Sequence, residues 1–369
     1  MKEILLLGNM NANSIWLASW LKSENYNIKI FSFDENSHWD KTQVGNKRFK
    51  VLTLKDIKTK YYFGSRFKAF LVEHDVIIGN GIAPLLCYIN SAKLNLFIPY
   101  GGDIRWLTNY YRINLKMPLK EIFVAIIVTY LQSRGIKKCE NIFLRKWSNN
   151  IIPNKIYKTY KTSPYPIITC GPELVLSNLT VSNLKKSKIK KILCPTRHEW
   201  TDKRNPSDKG QDVIIYGVKK FVDKNPKFEF EITFFEYGRC VAKSKELIEK
   251  LEISSYFKWQ PKVTPSEVIT FMLEADLILL EGFHSCEWNA SHAQAIVSEK
   301  PIIAYVDHSV NDDIYPVELN LYSDTFENLL LKFFNNEESH IKYAINRKKY
   351  LVSKYNETIS RIKNIIQSC

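Results

Sequence analysis

The chain has 369 residues, 45% of them hydrophobic and 13% aromatic, and a formal net charge of +15. That length suits about two domains, each able to bury a core, and the composition excludes a disordered or fibrous chain. The charge would suit a nucleic acid, an anionic membrane face or a phosphorylated substrate, although Lys, Asn and Ile are all abundant and part of it can be codon bias on solvated faces.

The apolar run EILLL (3–7) is too short for a signal peptide and predicts a strand ending at Gly8, followed by a helix in NANSIWLASWLKS. Runs at 27–33, 50–54, 75–80 and 95–102 predict further strands with room for helices between several of them. Strands apolar on both faces and alternating with helices mean a parallel sheet covered on both sides. A helix is expected around 119–133, a short strand at 141–144 and another at 165–169. The stretch IFVAIIVTYL (122–131) falls well short of the roughly 20 residues a membrane span needs. A Ser, Thr, Asn and Lys cluster at 177–188 reads as a linker.

The second half restarts the rhythm. Strands are expected in IKKILCP from 189 and at 229–235, 254–260, 276–282 and 300–307, with helices after Gly210 and at 265–275 and 290–299. The tail, 337–367, reads as one or two helices with a basic face. The predicted organisation is a first Rossmann-like domain over 1–176, a linker over 177–188, a second such domain over 189–335, and basic helices over 336–369 that pack back toward the first domain. Seven cysteines form no C-x-x-C and no even framework, which implies reduced thiols and a cytoplasmic protein.

Doubly wound α/β domains bind ligands outside the carboxyl ends of their strands, so chemistry is sought in those loops. Arg197 follows the first strand of the second domain, and Lys209-Gly210 opens the next helix. Arg offers a fork of donors to phosphate, Lys a point charge, and Gly a close backbone approach; the plain alternative is a solvated basic loop. In a later loop Glu287 precedes a helix whose first turn holds Ser291 and His292. A helix amino terminus, with free N–H groups and a positive dipole end, suits an anion. His198, His284 and His292 have no metal-ligand spacing, and no metal is assigned.

With these residues in view, the second half resembles the nucleotide-sugar domain of glycosyltransferases with the two-Rossmann (GT-B) architecture, most of all the large retaining family of bacterial polysaccharide and lipopolysaccharide transferases. In that family a strand leads to an Arg, a Lys-Gly opens the next helix, and a later loop carries Glu, seven residues, Glu, and then Gly-x-Pro before a strand. Arg197, Lys209, Gly210 and the segment CEWNASHAQAIVSEKPIIA correspond. Counting back from Pro301, the second Glu falls on Gln294, the first on Cys286 beside Glu287, and the Gly on Glu299. The resemblance implies an α/β fold of two Rossmann-like domains facing across a cleft, with Arg197 and Lys209 on the leaving diphosphate, Glu287 on sugar hydroxyls and Gln294 on a ribose hydroxyl. In the first half, GNMNANS (8–14), with Gly8, Asn11 and Asn13, matches the family's glycine-containing loop, and IPYGGDIRWL (98–107) resembles its His-Gly-Ser-Asp-type loop. Gly102, Asp103 and Arg105 there are acceptor-side or catalytic candidates, the alternative for Asp103 being a helix cap.

The resemblance further implies a UDP- or GDP-sugar donor as substrate and no cofactor. It implies a glycan or lipid-linked acceptor, and a cytoplasmic enzyme that can lie against the anionic inner face of the membrane. No Asp-x-Asp follows a strand, the pattern with which the other glycosyltransferase architecture holds manganese. A sugar-nucleotide epimerase of the same fold is one alternative. A nucleic-acid-binding protein is another, but no helix-turn-helix, zinc-finger or RNA-recognition signature is readable, so no nucleic-acid partner is expected.

Overall fold

The computed structural model describes residues 2–8, 13–33, 43–44, 47–48, 51–99, 118–144, 162–164, 189–201, 208–280, 290–306 and 317–369. The chain divides into two compact units. One takes residues 1–173 together with Lys354–Cys369, the other Leu174–Ser353.

In the first unit the chain runs β1 (Glu3–Leu7), α1 (Asn13–Ser23), β2 (Asn27–Phe31), β3 (Gln43–Val44), β4 (Lys47–Arg48), β5 (Val51–Leu52), α2 (Ser65–Val72), β6 (Val76–Gly79), α3 (Ala83–Ile89), β7 (Leu96–Phe97), α4 (Leu119–Lys138), β8 (Asn141–Leu144) and β9 (Thr162–Pro164). Seven strands form one sheet in the order β5-β2-β1-β6-β7-β8-β9, every pairing parallel, while β3 and β4 form a separate antiparallel pair. The unbroken run Ile4, Leu5, Leu6 and Leu7 is buried on both faces of the sheet, as a parallel strand covered by helices requires. Phe31, Phe67, Phe70 and Leu71 fill one side of the core. Two elements bring α3 hard against α4. The Gln132 carboxamide accepts from Leu85 N–H at 3.1 Å and donates to the Gly81 carbonyl at 2.9 Å, and Gly135 faces the Pro84 backbone so closely that a Cβ there would overlap it.

The second unit runs β10 (Lys190–Cys194), α5 (Gln211–Lys224), β11 (Phe230–Phe235), α6 (Val241–Lys250), β12 (Phe257–Gln260), α7 (Pro265–Glu274), β13 (Leu277–Leu279), α8 (Ala290–Val297), β14 (Ile302–Ala304), β15 (Leu319–Asn320), α9 (Phe326–Asn335) and α10 (Glu337–Ser368), whose residues from Lys354 belong to the first unit. The sheet order is β12-β11-β10-β13-β14-β15, all parallel. Counted from β10, that is 3-2-1-4-5-6, the Rossmann order, whose direction reverses between β10 and β13. The first unit reverses likewise between β1 and β6. Ile214, Val218 and Phe221 of α5 pack on Ile232, Phe234 and Leu277 of the sheet. Each such side chain contributes about 1.5–3 kcal/mol by leaving water. Thr264 and Glu267 close a reciprocal capping box at the start of α7.

Several elements differ from their sequence expectations. Residues Ser254–Tyr256 form a single 3-10 turn and the strand starts only at Phe257. The tail is one helix of 32 residues. The strand expected at 165–169 and the linker at 177–188 lie outside the described residues, and β9 stands just before them. Cys87, Cys139, Cys194, Cys240 and Cys369 are free thiols, and burial pushes Cys87 up to about 12.

Candidate active site

The carboxyl end of β10 lies at the switch point of the second sheet. Beyond Cys194, Lys209 N–H donates to the Glu199 carbonyl at 2.5 Å, which brings these two residues together at the strand end. Gln211, the first residue of α5 and wholly buried, completes the closure. Its amide donates to Thr196 Oγ1 at 2.9 Å and to the Arg197 carbonyl at 2.8 Å, and its oxygen accepts from Glu199 N–H at 3.3 Å. Between the two ends sits Gly210 in the left-handed region (φ 65°, ψ 34°), its N–H bonded to the buried Asp208 carboxylate at 2.9 Å. The backbones of Arg197 and Lys209 are therefore locked together at the strand end, with the amino terminus of α5 beside them.

Arg197 is half-buried, and its Nε is shielded from solvent with no hydrogen-bond partner among the described residues. A buried donor left unpaired costs about 1–3 kcal/mol, so its retention calls for a reason. A third cation stands nearby. Arg239, in the turn after β11, places Nη2 2.8 Å and Nε 2.9 Å from Glu199 Oε2. The hydrogen bond from Arg239 holds the Glu199 carboxyl below its ordinary range, with Arg197 adding a smaller electrostatic pull in the same direction.

His198 lies beneath this loop, fully buried. Its Nδ1 pairs with Ser244 Oγ at 2.8 Å, and Trp200 Nε1 donates to the same oxygen at 2.8 Å. Its ring stands edge-on to Phe234 and against Trp259. Burial pulls its pKa down to about 4, so it is neutral. Gly238 (φ +113°) passes so close that a Cβ would sit 2.5 Å from the His198 backbone N and O.

In α8, Ser291 and Gln294 are half-buried and His292 is buried, while Glu287 lies outside the described residues. The second residue beyond the helix is informative. Glu299, where the resembled family carries glycine, adopts φ +57°, and its carboxylate meets Lys348 Nζ of α10 at 2.7 Å. The glycine-like backbone is kept without the glycine.

In the first unit Gly8 follows β1 with φ +101° and donates its N–H to Phe31 O at 2.7 Å. Ser14 Oγ and Asn80 Nδ2 both donate to its carbonyl, and Asn80 Nδ2 also reaches Ser14 Oγ at 3.1 Å. A Cβ at Gly8 would overlap Asn80 and stand 2.9 Å from the Phe33 ring, so the glycine is needed here for packing. Asn13 opens α1. Asn11, Gly102, Asp103 and Arg105 lie outside the described residues. Sequence reasoning had no hold on Gln211, Asp208, Ser244, Arg239 or Asn80. A Gln directly after Lys-Gly was the one local signal among them.

No protein-family model matches the sequence, and no curated protein matches it. Among solved structures, the chain is similar to sucrose-phosphate synthase from Thermosynechococcus elongatus, at 10% identity over 100% of each chain with a TM-score of 0.65. It is similar to Anabaena HepE in complex with UDP and glucose, at 12% identity over 99% of this chain and 100% of that one, TM-score 0.58. It is also similar to UDP-GlcNAc 2-epimerase from Neisseria meningitidis bound to UDP-GlcNAc, at 13% identity over 98% and 99%, TM-score 0.56. The chain thus has the α/β fold of two Rossmann-like domains that GT-B glycosyltransferases have, and identities this low speak for the fold alone.

Proposed function

We propose that the protein is a glycosyltransferase that moves a sugar from a nucleoside-diphosphate sugar, a UDP- or GDP-sugar, to a glycan or lipid-linked acceptor in bacterial surface-polysaccharide or glycoconjugate synthesis. The observation that carries this reading is the clamped turn joining Arg197 to Lys209 at the switch point, with a shielded guanidinium Nε that has no acceptor among the described residues. In the transfer, the bond from the anomeric carbon to the diphosphate oxygen breaks and negative charge gathers on the diphosphate. Arg197, Lys209 and the amino terminus of α8 near Ser291 meet that charge, the protein's own cations standing where a metal ion would otherwise act. Gly210 lets the backbone come near the phosphates. Ser291 and His292 in the first turn of α8 add donors, Gln294 takes a ribose hydroxyl, and Glu287 takes hydroxyls of the sugar. Asp103 orients the acceptor hydroxyl or takes its proton, with Gly102 and Arg105 beside it, while Gly8, Asn11 and Asn13 form the adjoining loop.

The second reading, a sugar-nucleotide epimerase, is favoured by the likeness to an epimerase of the same fold. Nuclear magnetic resonance of the protein with UDP-, GDP- and dTDP-sugars separates the two. Transfer releases free nucleoside diphosphate, with the sugar passed to an added acceptor or slowly to water, and it persists in chelator. Epimerisation returns a sugar nucleotide with an inverted ring carbon. A chain that changes none of these sugar nucleotides is neither enzyme.

A further inference from the structure

A carboxylate is an awkward neighbour for cations that are to receive phosphate, and Glu199 is one. It stands two residues after Arg197, and its backbone is tied into the turn twice. Its carbonyl accepts from Lys209 N–H at 2.5 Å, and its N–H donates to Gln211 Oε1 at 3.3 Å. Only 13% of its side chain is exposed. An ionised carboxylate in such a place pairs with the nearest cation or repels an incoming anion. Arg197 is close enough for its charge to act on this carboxyl.

Arg239 takes the carboxylate instead. Its Nη2 and Nε lie 2.8 and 2.9 Å from Oε2, and its backbone N–H and Nε each lie 3.2 Å from Oε1. One residue thus engages both carboxylate oxygens, with the forked donors that a guanidinium offers. The same hydrogen bonding is the first cause that keeps the Glu199 carboxyl ionised below its ordinary range, and Arg197 is the smallest of the contributors.

The turn that carries Arg239 is held against this loop on both sides. His198 N–H donates to Tyr237 O at 2.7 Å, and Cys240 N–H donates to His198 O at 2.9 Å, which brackets Gly238 and Arg239. The Arg239 side chain itself is 77% exposed. Exposed ion pairs add little to stability, so the fold alone gives this position small reason to be a cation.

We infer that Arg239 is a positioning residue for the diphosphate: by holding the Glu199 carboxylate it keeps the charge of Arg197 and Lys209 for the phosphates, without itself touching them. Glu199 has its own use, since its carboxylate also accepts from the Arg239 backbone and so pins the turn between β11 and α6 to the loop. The inference rests on the reading of the Arg197–Lys209 turn as a diphosphate site.

Titration calorimetry of the full chain with UDP, GDP, dTDP and ADP, beside unliganded melting curves, tests it. Arg239→Ala keeps the backbone bond to Glu199 and releases the carboxylate. It should melt close to wild type and bind the preferred nucleotide about tenfold more weakly, whereas Arg239→Lys, which keeps the charge, should lose much less. Glu199→Gln, of the same shape but uncharged, should bind at least as tightly as wild type. The double variant, Arg239→Ala with Glu199→Gln, should recover to within about twofold of Glu199→Gln alone, because the charge that Arg239 restrains is gone. Binding by Arg239→Ala as tight as wild type overturns the inference and leaves the diphosphate reading standing. A loss that Glu199→Gln fails to restore also overturns it, and makes Arg239 either a direct phosphate ligand or a brace of the turn. A wild type that binds none of the four nucleotides overturns both.

Discussion

The Gln211 side-chain amide donates to the carbonyl of Arg197 at 2.8 Å, binding the first residue of α5 to the loop that leaves β10. Its other two bonds, to Thr196 and Glu199, make it the closure of the candidate phosphate turn. Replacement by Leu leaves the Arg197 carbonyl and the Glu199 N–H without that partner. Gln211→Leu is expected to lose about 2–3 kcal/mol in thermal denaturation and to weaken nucleotide binding, even though the substituted side chain carries no charge.

Arg197→Ala and Lys209→Ala each remove a cation from the leaving group, and loss of one such preorganised charge commonly lowers turnover by about 10²–10³. Both positions are only half-buried, so the folded state should survive. Steady-state transfer rates beside melting temperatures check this. Near-normal rates in both variants would make the turn an ordinary basic loop.

Gly238 has no tolerance for a methyl group. With φ at +113° and the His198 backbone 2.5 Å from the added Cβ, Gly238→Ala must move either the turn or β10's exit. A loss of at least about 2 kcal/mol is expected by chemical denaturation. Parity with wild type would mean that this approach is looser than described.

His198 sets a pH signature. Its pKa is depressed by burial from 6.5 to about 4, so below about pH 6.5 the unfolded chain takes up a proton that the native state refuses until near pH 4. Stability therefore falls as the pH drops through that window and has no slope from this residue above it. The shift corresponds to something on the order of 3 kcal/mol across the window. Denaturant midpoints of wild type and His198→Gln between pH 4 and 7.5 should converge as the pH falls.

Much of the architecture was readable because buried parallel strands need unbroken apolar runs, and EILLL, VIIG and KKILC supply them. The two-residue strand β7 was not readable to length and β15 was not expected at all, since two residues carry no period. The 3-10 turn at Ser254–Tyr256 hid inside a run of strand-forming aromatics. At the site, Arg197 and Lys209-Gly210 stood out by residue type at a strand end. Gln211, Ser244 and Asn80 did not, because their roles depend on partners 14, 46 and 66 residues away. Glu299 taught a different lesson. A missing family glycine reads as a departure, yet the backbone there still has φ +57° and Lys348 holds the carboxylate. Glu299→Ala should cost about 1–2 kcal/mol, and Glu299→Gly about 1 kcal/mol less than that, because only glycine takes this conformation without strain.

The central claim, that Arg197 and Lys209 hold a nucleoside diphosphate, is tested most directly by thermal melting with UDP, GDP, dTDP, ADP and CMP. A ligand at 100 times its dissociation constant adds about 2.7 kcal/mol, which a melting curve resolves readily. At least one diphosphate is expected to raise the wild-type melting temperature, and the rise should vanish in Arg197→Ala and in Lys209→Ala, each of which melts unliganded as wild type does. No rise with any of the five nucleotides, or a rise that survives both substitutions, would contradict it.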